Sequence, residues 1–163
     1  VFWMKFTVKK IDLKNSSHQT VIMYLQKKIL PEDSPYKPDR GHWWVAYAED
    51  GKPVGFAGLV RSITWTDTGY LCRSGVLDSF TGHGLQKRFI LARIRKAKEL
   101  GWNWLITDTT DNPASSNSLI NCGFKLYDPR NPWSFKNALY WKRKITHDAV
   151  QGLKRKKKKT CSV

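Results

Sequence analysis

Apolar and polar residues alternate from Phe6 to Ile11, which predicts a strand with two unlike faces. The period then lengthens. Val21, Tyr24, Leu25 and Ile29 share one side of a helix that Ser17 or a neighbour can cap and that runs through Leu30, where Pro31 stops it. Pro31, Pro35, Pro38 and Gly41 mark residues 31–42 as a loop. Two strands follow, Trp43–Ala48 and Val54–Trp65, joined by Glu49-Asp50-Gly51-Lys52, a hairpin signal because Asp-Gly tolerates positive φ. A second turn at Asp67-Thr68-Gly69 leads into a strand from Tyr70 to Leu77, so the first half of the chain reads as an antiparallel meander.

Next comes the turn Thr81-Gly82-His83-Gly84-Leu85-Gln86, and a helix from Gly84 to Leu100 with Leu85, Phe89, Ala92, Lys96, Ala97 and Leu100 spaced for one face. Gly101 ends it, and Trp102–Thr107 forms a strand parallel to Tyr70–Leu77 through a right-handed crossover. Asn112 caps a short helix with Pro113 in its first turn, and Gly123 closes it. Phe124–Tyr127 and Ala138–Lys144 give two closing strands around a loop, Asp128–Lys136. The expected class is α/β with a mixed sheet: a mostly antiparallel N-terminal meander and a central parallel strand-helix-strand unit. Residues 1–148 are expected to form one domain, and 149–163 a basic, solvated tail.

Composition adds a core and a charge. The chain has 163 residues, 40% of them hydrophobic and eight of them Trp, enough to bury a core without staples. It carries 29 Lys and Arg; taking away the six of Lys154–Lys159 leaves 23 against 13 acidic residues, a surplus of ten. Such a body favours polyanions, which release counterions on binding, and DNA or RNA is a candidate partner. The same surface also suits an anionic cosubstrate. Cys72, Cys122 and Cys161 show neither paired nor zinc-binding spacing, which fits a reducing compartment and suggests no metal. No apolar run approaches a membrane span, and Val1–Lys5 lacks a signal-peptide layout, so a soluble cytoplasmic protein without membrane contact is expected.

The glycine turn is the first chemical signal. A helix N-terminus offers unpaired N–H donors and a partial positive charge, and glycines let a phosphate approach it. The order of elements over residues 43–145, with this turn and the Asn112-to-Gly123-Phe124 helix, resembles the GNAT superfamily of CoA-dependent N-acyltransferases. That family's diphosphate turn has Gln or Arg, two residues, Gly, one residue, then Gly or Ala, behind a strand ending in valine. Val76 and Gly84 match, with Leu85 following; Thr81 and Gln86 depart from the pattern, though backbone donors do not depend on either side chain. The resemblance implies acetyl-CoA as cosubstrate, held by Val76, Leu77, Gly82, His83, Gly84, Leu85, Gln86, Lys87 and Asn112. It also implies that a backbone N–H at Val76 or Leu77 polarises the acetyl carbonyl. In relatives a Tyr four residues before the closing Gly protonates the departing thiolate; here that position is Leu119.

Acyl transfer to an amine needs a proton acceptor for the amine and a proton source for the thiolate. Asp108 is the candidate base, with a loop or capping carboxylate as its alternative; Asp111 and Asp78 suit a cap and a turn. Tyr127 and Tyr140 are candidate replacements for the missing acid, or packing residues of the closing strands. His83 suits a cofactor contact better than base duty, and Cys72 and Cys122 have no sequence-adjacent His to activate them. The tryptophans fit the core and sheet, with base stacking as the other use for exposed ones. The expected activity is acetyl transfer from acetyl-CoA directly to an amine, on a nucleic acid or other polyanion, or on a protein or small molecule. The alternative is a GNAT-like module that binds nucleic acid without turnover.

Overall fold

The computed structural model describes residues 4–147, so the tail expected from residue 149 lies outside the described residues. The elements are β1 (Phe6–Lys10), α1 (Ser16–Ile29), β2 (His42–Ala48), β3 (Pro53–Arg61), β4 (Thr68–Val76), α2 (Leu85–Glu99), β5 (Trp104–Thr109), α3 (Pro113–Asn121), β6 (Lys125–Leu126) and β7 (Leu139–Lys144). The strands form one sheet in the order β1-β2-β3-β4-β5-β7-β6. Only the β4–β5 pairing is parallel; the other five are antiparallel. The mixed sheet with a central parallel unit is therefore as the sequence pattern predicts.

Several boundaries move for local reasons. Asn15 caps α1, its side chain accepting the Ser17 N–H. β3 stops at Arg61 rather than Trp65 because the Ser62 hydroxyl accepts the N–H groups of Thr64 and Trp65, turning the chain and lifting Trp65 into a loop. β5 starts two residues later than its apolar run, since Asn103 donates to Asp67 O at 2.7 Å instead of to a ladder. β6 has only two residues: the Phe124 N–H is spent closing α3 on Leu119 O. The buried face of α2 is Leu85, Phe89, Ile90, Arg93, Ile94 and Ala97, so the expected stripe is turned toward Arg93, with Ala92 and Lys96 half-buried and Leu100 exposed.

Both sheet faces are covered. Along β2, Trp43 and Val45 pack with Ile22, Leu25 and Phe56 under α1, while the alternate residues Trp44 and Ala46 join the core that includes Phe89, Ile94, Leu105 and Leu119 of β5, α2 and α3. Burying these two layers is the main favourable term in the fold.

Two irregularities in β4 matter most. On the β3 side the register runs Ala57↔Ser74 and then Leu59↔Leu71, so Gly58 alone faces both Cys72 and Arg73, a bulge that adds a residue to β4 and sharpens its twist. On the β5 side the ladder has three pairs, Thr68↔Trp104 to Tyr70↔Ile106, and ends there although β4 continues to Val76 and β5 to Thr109. The buried Thr107 hydroxyl donates to Leu71 O at 2.9 Å, the last tie before the strands part.

Gly58 has no room for a side chain: a Cβ there would lie 2.5 Å from Cys72 Sγ and 2.7 Å from the Trp43 ring. Gly58→Ala is expected to lower stability by about 1–3 kcal/mol through overpacking, seen as a lower urea midpoint at unchanged m-value.

Candidate functional site

Where β4 and β5 part, each is paired only on its outer side, β4 with β3 and β5 with β7. A cavity of about 290 Å³ occupies the resulting gap, bordered by Gln86 and Ile90 of α2, Asn112 and Leu119 of the α3 region, and Leu30 and Asp33 beyond α1. A second pocket, of about 880 Å³, is walled by Trp65, Tyr127 and Trp133. Tyr70, Cys72 and Arg73 line both, so the two spaces share one wall at the bulge.

The α2 end of the gap is built for an anion. Gly82 and Gly84 have φ of 80° and 75°, a left-handed backbone that glycine adopts without strain, and a Cβ on either would meet nothing within 4 Å. No side chain caps α2 and no acid occupies its first turn; its first internal bond is Arg88 N–H to Gly84 O, leaving the N–H groups of Leu85, Gln86 and Lys87 without helical acceptors. Leu85 is buried and anchors the helix start, Lys87 is exposed, and the His83 ring lies 5.4 Å from that of Phe6. The residues present thus fit a diphosphate.

Val76 and Leu77 differ in what their backbones offer. Leu77 N–H donates to Val54 O at 2.8 Å, so Leu77 and Val54 form a hydrogen-bonded pair of the antiparallel ladder. Val76, opposite Gly55, is then a non-hydrogen-bonded pair, and its N–H points away from β3 toward the gap. Asn112 caps α3, its side chain accepting from Ser115 N–H at 3.0 Å, and it also borders the gap cavity.

Asp108 borders the gap cavity too. Its Oδ1 accepts from Tyr70 Oη at 2.6 Å and Trp133 Nε1 at 3.1 Å, and its Oδ2 has no hydrogen-bond partner among the described residues. Burial first, then the hydrogen bond and charge of Asp108, push the Tyr70 phenol far above its ordinary range, so Tyr70 keeps its proton. The other two tyrosines lie close by, Tyr140 directly opposite Asp108 in the β5–β7 pairing. Tyr140 Oη accepts from Ser134 N–H and its ring meets Trp133 at 4.6 Å, which fixes the loop carrying Trp133. Tyr127 Oη is buried without a partner among the described residues, and burial followed by Tyr140 and Asp108 raises its pKa to about 12. Neither hydroxyl bonds Asp108.

Cys72 sits in the shared wall, and burial raises its thiol to about 11, which disfavours the nucleophilic thiolate. Burial raises Cys122 as well. Arg93 is buried beside the gap with Nε on Phe89 O and Nη1 on Gly58 O; burial lowers its pKa to about 10, so it remains charged. Arg73 donates to Gln26 Oε1 and Ser34 O, while buried Gln26 bonds both N–H and C=O of Tyr36, tying the 31–41 loop to the bulge. Among the described residues, no group of three or more His, Cys, Asp or Glu could hold a metal, and no helix is long and apolar enough to cross a membrane.

Sequence reasoning brought Asp108 forward but missed Tyr70 and Trp133. The signal for Tyr70 was its place: with parallel strands aligned at Tyr70↔Ile106, Asp108 is two residues on and on the same face. Nothing local marked Trp133.

The profile of the Acetyltransferase (GNAT) family matches residues 12–124. Among solved structures, a GNAT-family acetyltransferase of Staphylococcus aureus Mu50 is similar at 18% identity, covering 87% of this chain and 100% of that one, with a TM-score of 0.68. The ribosomal-protein-S18-alanine N-acetyltransferase of Escherichia coli gives 14% identity, 88% and 96% coverage and 0.68. The NatC complex bound to Gag peptide and CoA contains a chain with 18% identity, 88% and 100% coverage and 0.70. No curated protein matches the sequence.

Because its folded pKa of about 12 exceeds the ordinary 10.0, Tyr127 contributes stability that is intact below pH 10 and lost as pH rises toward 12. Tyr127→Phe is expected to flatten that part of the urea-stability profile relative to wild type; parallel profiles would remove Tyr127 as a source of the loss.

Proposed function

This chain belongs to the GNAT family of acetyltransferases, and from that premise we propose that it passes an acetyl group from acetyl-CoA directly to an amine across the gap between β4 and β5. The observation that carries this reading is the shared wall: one cavity lies in the sheet gap beside an uncapped helix start, and the other opens from the same three residues.

In this reading the N–H groups at the start of α2, freed by Gly82 and Gly84 and helped by Lys87, bind the diphosphate. Gln86 and Asn112 flank the arm that enters the gap. Acetyl-CoA supplies the thioester. The Val76 N–H, directed into the gap, stabilises negative charge developing on the acetyl oxygen; the Leu77 N–H, held by Val54, is left out of this role. Asp108 accepts the amine proton at Oδ2 while Tyr70 and Trp133 fix its orientation. With apolar, buried Leu119 at the family's acid position, Tyr70 is the phenol that reaches the gap. Its hydroxyl proton is already given to Asp108 Oδ1 and its pKa is high, so Tyr70 orients the base and the thiolate takes its proton from water. Among the described residues Cys72 and Cys122 form no disulfide, in accord with a reducing setting.

The cationic surplus supports an acceptor amine on an anionic carrier. A module that holds nucleic acid without turnover is the rival, and it would show salt-sensitive RNA or DNA binding with no release of CoA.

Gly84→Asp, which sets a charge against the diphosphate, is expected to weaken acetyl-CoA binding about tenfold or more by calorimetry; unchanged affinity in a folded variant would sink the cradle. Asp108→Asn is expected to lower kcat about 10²-fold or more while sparing acetyl-CoA affinity, and full activity would remove it as base.

A further inference from the structure

The pocket on the far side of the shared wall combines aromatic surface with an uneven set of charges. Trp65, Trp133, Tyr127 and Tyr36 supply rings, with Trp133 still 41% exposed. Its cations are Arg40, Arg61, Arg73, Arg130 and Lys142, and its acid is Asp128 alone. Three of the cations are occupied: Arg73 holds Gln26 and Ser34, Arg61 lies 5.4 Å from the Trp102 ring, and Lys142 lies 5.5 Å from Trp104 and 5.1 Å from Tyr127. The side chains of Arg40 and Arg130 make no hydrogen bond or salt bridge among the described residues, where the one ion pair is Lys96–Glu99 on α2.

Resting on the acetyltransferase reading above, we propose that the acceptor is a small aromatic amine that carries its own anionic group, a carboxylate or a phosphate. An ammonium entering this pocket alone meets four more positive than negative side chains and is repelled. A molecule that also carries an anion is attracted, and the planar forks of Arg40 and Arg130 suit a carboxylate or phosphate. The amine end has a matching target across the shared wall: Asp108 borders the gap cavity, and Trp133 and Tyr70, which line the pocket, both donate to its Oδ1. The ring system of the acceptor then lies against the aromatic walls beside its charged groups. A volume of about 880 Å³ admits an aromatic amino acid with room to spare and also a nucleotide. Polyamines and other polycations are the wrong class for it.

The test follows CoA release by the full chain with acetyl-CoA and five acceptors. L-tryptophan and L-phenylalanine form the carboxylate arm, a 5′-phosphorylated aminonucleoside the phosphate arm, and tryptamine and spermidine the cationic comparison. In one anionic arm kcat/KM is expected to exceed that for tryptamine about tenfold, and to fall as salt is raised while that for tryptamine does not. The better arm identifies the anionic group. Arg130→Ala or Arg40→Ala is expected to reduce the ratio of the two kcat/KM values about tenfold, the effect of one charge-assisted contact. Tryptamine or spermidine serving as well as the anionic amines overturns the proposal, as does a ratio unmoved in both variants, or turnover confined to amines on RNA or DNA. Calorimetric binding of acetyl-CoA without turnover of any anionic aromatic amine overturns the acceptor class and leaves the cofactor site standing. Absence of acetyl-CoA binding overturns the acetyltransferase reading, and this proposal with it.

Discussion

A parallel ladder that ends after three residue pairs is the constraint from which the rest of the molecule follows. Backbone donors and acceptors inside a protein need partners, so two strands that part must have their remaining groups met elsewhere. Here Thr107 bridges to Leu71 with a hydroxyl, β3 and β7 hold the outer edges, and groups such as the Val76 N–H point away from β3 toward the gap. The bulge at Cys72 and Arg73 belongs to the same construction, because an extra residue in β4 bends it away from its parallel neighbour. Gly58, with no space for a methyl group, is what lets β3 lie against that bulge.

The polar groups around the opening divide into two kinds. At the α2 end they belong to the backbone, exposed by two left-handed glycines and an uncapped helix, and their chemistry hardly depends on neighbouring side chains. Thr81 and Gln86, which depart from the usual family residues, therefore leave those backbone donors as they are. On the other side they are side chains brought from distant parts of the sequence: Asp108 from β5, Tyr70 from β4 and Trp133 from the loop before β7. The hydrogen-bond geometry there is only as good as the packing of that loop, which Tyr140 secures through Ser134 and the Trp133 ring.

That division also explains what could be read from the residues alone. Periodicity located β1, α1 and α2, since burial on a sheet face or a helix stripe leaves a local record. Caps and turns such as Asn112 and Gly123 were legible because their chemistry is local. Ends of elements were less so: β3 ends early because of the Ser62 hydroxyl and β5 starts late because of Asp67, contacts a hydropathy pattern does not carry. The Tyr70–Asp108 bond joins positions 38 apart and depends on the parallel register, and the donor from Trp133 depends on a loop path. Tyr127 and Tyr140 stood out as phenols near the right strand, yet among the described residues neither hydroxyl is hydrogen-bonded to Asp108, even though Tyr140 lies opposite it in the β5–β7 pairing. Arg93 escaped notice because a charged residue inside a helix stripe usually marks the solvent side.

Arg93 has a bearing on sulfur chemistry. Its guanidinium, held by two carbonyl oxygens and out of reach of bulk ions, keeps a positive charge beside the gap. Cys72 already registers it: the neighbouring cation draws that thiol's pKa down, partly offsetting the upward push of burial. A positive charge fixed in a dry interior is little screened by dissolved salt, so any anion that enters the gap meets a field set by the fold rather than by the solvent.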